Sequence, residues 1–147
     1  MVPYEKVYDA FFAKLLDDGE WEDWTITEVY IDVRAILEGA IPNFKFPRVS
    51  LERDDDGFLS DELSNDEIQV IACFMKCEWL NRTILTWENI KPLYAERDFS
   101  QGNLLDKFIK LLETEQKNAR LRERNYYRSV KGKPYSFSKL AGDPNAV

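Results

Sequence analysis

Histidine is absent from this chain, and with it go the commonest general base and the Ser/His and Cys/His nucleophile pairs. Cysteine is nearly absent. Cys73 and Cys77 stand four apart in an apolar segment, which on a helix puts both on one face as small buried hydrophobes. A zinc site would need further Cys or His ligands, and there are none to supply them. Glycine is scarce as well: the six glycines are scattered and no two adjoin, so no phosphate-cradling loop is present. No stretch approaches the roughly 20 apolar residues of a membrane span. Met1-Val2-Pro3-Tyr4-Glu5 has neither the basic start nor the apolar run of a signal peptide. Carboxylates and lysines are plentiful, but no constellation of them announces a reaction. These absences predict a protein that is not an enzyme, carries no metal or cofactor, and is made and kept in a cytoplasm.

What the chain does have is a division of charge at Ser100. Residues 1–100 hold 22 acidic side chains against 10 basic, a balance of −12, and residues 101–147 hold 5 against 10, a balance of +5. Between Lys117 and Lys139 lie eight basic residues and one acid, Glu123, interleaved with Tyr126, Tyr127, Tyr135 and Phe137. The acidic part is not disordered by composition, because Trp21, Trp24, Trp79 and Trp87 all fall within it. With 44% hydrophobic and 14% aromatic residues over 147 positions, a single domain can bury a substantial core.

Periodicity and capping signals predict a mainly α protein, a bundle of about four helices. Val7, Ala10, Phe11, Lys14 and Leu15 give a first helix near 4–17, with Pro3 in its first turn. Thr25 and Glu28 form a capping box ahead of a second helix that stops at Gly39. The stretch 42–62 reads as an extended insert, with a small β-arm or hairpin near 44–59 and a turn at Asp54-Asp55-Asp56-Gly57. That aspartate triplet fails the twelve-residue calcium loop, whose fifth and twelfth positions would be Phe58 and Asn65. Ser64-Asn65-Asp66-Glu67 is a second capping box, opening a helix to Leu80 that is apolar around most of its circumference and hence central. Thr86 then caps a short piece holding Trp87 and Ile90, disturbed by Pro92. Ser100 caps a last helix running to about 129, which would span roughly 43 Å. Its first three turns are apolar enough to pack on the body, and the remainder must project or pack on another chain. Gly132 and Pro134 end it, leaving residues 131–147 as an extended tail beyond a helical domain of 1–130.

Basic residues near a helix C-terminus favour its dipole and charged surfaces are ordinary, and this second reason accounts for Lys107 and Lys110. It accounts less well for Arg120, Arg122, Arg124 and Arg128, four guanidiniums within nine residues. Arginine grips carboxylates and phosphates with a planar fork and joins tyrosine at interface hot spots. The candidate interface is therefore Arg120, Arg122, Arg124, Tyr126, Tyr127, Arg128, Lys131, Lys133, Tyr135 and Phe137. Basic residues among aromatics also suit single-stranded nucleic acid, so a small nucleic-acid-binding regulator is the alternative. The −12 body would repel a phosphate backbone over a Debye length of about 8 Å. Identical subunits meeting acidic face to basic face avoid that repulsion.

Three segments carry a family resemblance: Asn65-Asp66-Glu67-Ile68 to Cys77-Glu78-Trp79-Leu80, then Asp98-Phe99-Ser100-Gln101-Gly102-Asn103-Leu104-Leu105, and the charged helix ending Arg124-Asn125-Tyr126-Tyr127-Arg128. In helix order and charge the chain resembles the small helical head–tail connector, or adaptor, proteins of tailed bacteriophages, of the crAss-like or related short-tailed kind. The 42–62 insert has no counterpart in that pattern. The resemblance implies a virion subunit, assembled in the host bacterial cytoplasm into a homo-oligomeric ring of about twelve copies. Such a ring docks on the portal protein, offers a platform to tail proteins, and lets DNA pass without sequence-specific binding. It also implies a C-terminal segment, here Lys131 to Val147, that inserts into the portal assembly.

Overall fold

A computed structural model describes residues 1–15, 21–94, 99–130 and 133–134. Four helices make up most of the described chain: α1 (Tyr4–Phe12), α2 (Ile26–Ala40), α3 (Asn65–Tyr94) and α4 (Phe99–Tyr127). α3 packs on each of the other three, so the helix that is apolar on most sides is the central one. Val7 and Phe11 of α1, Val33 and Leu37 of α2, and Val70, Ile71, Met75 and Leu80 of α3 are fully buried. Polar ties hold the same contacts at their rims. Lys14 Nζ donates to Gln69 Oε1 at 2.7 Å, the Arg82 guanidinium meets the Asp32 carboxylate at 2.7 Å, and Lys76 meets Glu115 at 3.0 Å.

Both capping signals act at the predicted places. Thr25 Oγ1 accepts from Glu28 N at 3.3 Å, and Glu67 Oε2 accepts from Ser64 N at 3.1 Å and from the Ser64 hydroxyl. Four boundaries differ from expectation. α1 stops at Phe12 and tightens into a turn, with Lys14 N bonded to Phe11 O. Gly39 does not end α2, which runs to Ala40 and closes with a 3-10 turn over Ile41–Asn43. α3 continues unbroken through Thr86 and Pro92 to Tyr94, and the Thr86 hydroxyl donates to the Arg82 carbonyl four residues back instead of capping. α4 already includes Phe99, one residue ahead of the expected cap at Ser100.

The insert forms the expected small antiparallel element, with an unexpected partner. Asp54 Oδ1 accepts from Asp56 N and Gly57 N at 2.8 and 3.1 Å, so the triplet serves a turn. Backbone bonds Asp54 N to Gly57 O and Leu59 N to Glu52 O close a short hairpin around it. The strand β2 (Gly57–Phe58) also pairs with β1 (Val2–Pro3), Val2 opposite Phe58. Pro3 is therefore extended, not helical, and lacks only an N–H that an edge strand can spare. A Cβ on Gly57 would lie 2.3 Å from the Val2 carbonyl oxygen, so glycine is required by the closeness of β1. Beyond α4, β3 (Ser129–Val130) pairs antiparallel with β4 (Lys133–Pro134).

Candidate functional site

The C-terminal half of α4 does not project. α3 and α4 run antiparallel, which sets the last turns of α4 against the start of α3 and against the arm at 43–48. Ala119, Glu123 and Tyr126 are buried along one stripe at helical spacing. Tyr126 is 4% exposed, and its hydroxyl donates to Glu67 Oε1 at 3.2 Å while accepting from Arg48 N at 2.8 Å. The Arg48 side chain returns across the tyrosine, its guanidinium 4.3 Å from the ring centre and bonded to the Tyr126 carbonyl. Tyr127 is 36% exposed and its hydroxyl accepts from Phe46 N at 3.0 Å. Phe44 meets Tyr126 edge-on at 5.2 Å, and Phe46 meets Tyr127 at 5.9 Å. Burial is the leading reason that both phenols ionise only above their ordinary range.

Arg120 is also engaged within the chain. Its Nη1 donates to Asn43 O at 3.2 Å and to the buried Glu123 at 3.1 Å, and its guanidinium lies 5.1 Å from the Phe74 ring centre. Arg122, Arg124 and Arg128 are exposed and hold no ion pair among the described residues. Lys117, Leu121, Arg124 and Arg128 follow one another at helical spacing as a single exposed stripe, with Leu121 51% exposed at its middle. Arg122 faces the next side, where it lines a groove of about 620 Å³ together with Lys14, Asn118 and Asn125. Cys73 lies on the floor of that groove and is half-buried. Cys77 beneath it is buried, and burial above all pushes its thiol up to about 12, so it has little thiolate character.

Of the ten expected interface residues, Arg124 and Arg128 thus share one exposed stripe and Arg122 is exposed on the side next to it, while Arg120, Tyr126 and Tyr127 serve the fold. Lys133 lies in β4, and Lys131, Tyr135 and Phe137 fall outside the described residues. The arm residues Phe44, Phe46 and Arg48, which receive the tyrosines, were not foreseen. Their aromatic run before a basic residue resembled an edge strand and gave no sign of a helix as partner. Among the described residues, no helix is long and apolar enough to cross a membrane, and no cluster of three metal-ligating side chains occurs. No family model, curated protein or solved structure matches this chain.

Proposed function

We propose that the chain is a structural subunit of a phage head–tail connector ring, which docks on the portal, joins it to the tail and extends the DNA channel. The supporting observation is the exposed basic edge of α4, where Arg122, Arg124 and Arg128 have no ion-pair partner among the described residues of their own chain. Guanidiniums flanking an exposed Leu121 combine a charged rim with an apolar centre, the composition of a protein-binding patch. The alternative, a nucleic-acid-binding regulator, needs aromatic platforms beside the arginines. The Tyr126 ring is buried against Phe44 and Arg48, which leaves only the partly exposed Tyr127 among the described tyrosines of α4.

The variant Arg122→Glu with Arg124→Glu reverses the edge without touching a buried contact. It is expected to keep the wild-type unfolding midpoint and to lose co-purification with the portal ring of the same phage. Wild-type co-purification by this variant contradicts the proposal. Salt-sensitive oligonucleotide binding at about 50 mM salt, lost in the same variant, would favour the regulator instead.

A further inference from the structure

On the side of the molecule built by α1, α2 and the 54–56 turn lies a cleft of about 440 Å³ that no residue of α4 lines. Its lining is aromatic: the buried Tyr4 and Tyr8 stack with centroids 6.0 Å apart, and Tyr8 meets the half-buried Tyr30 at 5.3 Å. Ile31, 69% exposed, stands at its edge. Glu5, Asp55 and Asp56 form an exposed rim, and none of the three has an ion-pair partner among the described residues. The cleft already displays how it holds a guanidinium. Arg34 lies 4.1 Å from the centre of the Tyr4 ring, with its charge matched by Glu38 at 2.8 Å.

We propose that this cleft receives the basic edge of α4 from a second copy of the chain, a step that rests on the interface reading of α4 given above. The two surfaces match in sign and in composition. Unpaired carboxylates face unpaired guanidiniums, and exposed Ile31 faces exposed Leu121 beside the half-buried Tyr30. α4 packs on α3, away from the cleft, so its edge meets a cleft only on another molecule. The contact is heterologous: each copy gives one edge and one cleft, and repetition continues until a ring closes.

Charge exchange between two variants tests it. One variant is Arg122→Glu with Arg124→Glu, and the other is Asp55→Lys with Asp56→Lys, both at exposed positions. Self-association is read by sedimentation velocity at about 0.15 M salt, where charges more than about 8 Å apart are screened. Each variant alone is expected to lose self-association at least about tenfold. An equimolar mixture is expected to recover it, because each reversed edge then finds a reversed cleft and each native edge a native cleft. Glu22→Lys with Asp23→Lys, an equal charge change outside the cleft, is expected to leave association near wild type. Loss in the arginine variant with no recovery in the mixture overturns the cleft as receptor and leaves the edge as an interface for something else. An arginine variant that both self-associates and co-purifies with portal as wild type does overturns the cleft proposal and the interface reading together. A wild-type chain monomeric up to about 1 mM overturns the self-contact, and portal co-purification then decides the interface reading on its own.

Discussion

Tyr126 and Tyr127 are adjacent in sequence, yet the fold uses them differently. The Tyr126 hydroxyl lies between a buried carboxylate, Glu67, and a backbone donor, Arg48 N, so a helix start, a helix end and an extended arm meet at one oxygen. Replacing it by phenylalanine leaves both groups short of a partner inside the protein, which costs about 1–2 kcal/mol. Tyr127 is the more exposed of the two: its hydroxyl accepts from Phe46 N and bonds to the Glu123 carboxylate where water can replace it, and its loss costs less than about 1 kcal/mol. Urea unfolding of Tyr126→Phe and Tyr127→Phe checks the order, and equal effects would contradict it. The sequence signalled that both tyrosines mattered but not how. The buried stripe that holds Tyr126 passes through Ala119 and Glu123, residues too small or too polar to read as core. Glu123 is tolerated there because Arg120 meets it at 3.1 Å, and that pairing commits the still exposed Arg120 to its own chain.

Among the elements, those legible in the sequence had a local cause and those misread had a distant one. The start of α3 was legible because Ser64 and Glu67 satisfy each other three residues apart, before any tertiary contact forms. Its length was not, since the Thr86 hydroxyl bonds back to the Arg82 carbonyl as easily as a cap bonds forward. β1 was illegible for another reason: two residues are too few for alternation to show, and their partner lies more than fifty positions away. The insert is held to α2 by Glu38, whose carboxylate receives Arg53 and Arg34. The hydrogen bond from Arg53 is the main cause that lowers Glu38 to about 2, with burial opposing it and Arg34 assisting. Asp32 is also low: burial pushes it up, but bonds from Arg82 and Trp21 outweigh that. A depressed folded-state carboxyl stabilises above its unfolded value and loses that stability as pH falls through the folded one. For Glu38 the window runs from about 4.5 down to about 2. Urea midpoints for Glu38→Gln should therefore fall less steeply with pH across that window than wild type. Parallel pH profiles would show that the Arg53 contact does not stabilise the fold.

At the scale of the whole molecule, the charge division at Ser100 was the clearest signal in the sequence, and the fold places it across two surfaces. The helical class, the central α3 and the outward position of Arg122, Arg124 and Arg128 were legible, because capping, periodicity and charge are local properties. The return of α4 onto α3 and the arm was not, because it depends on Glu67, Arg48 and Phe44 being brought from distant positions to one place. The same return turns a projecting rod into a body with a defined basic edge, which we propose is an assembly surface for protein. On the proposed connector reading, native mass measurement of the wild-type chain mixed with a phage portal ring tests this most directly. The expected spectrum shows the portal ring carrying a full set of copies, about twelve, with free chain otherwise present. A portal ring that keeps its own mass at a large excess of chain contradicts the claim.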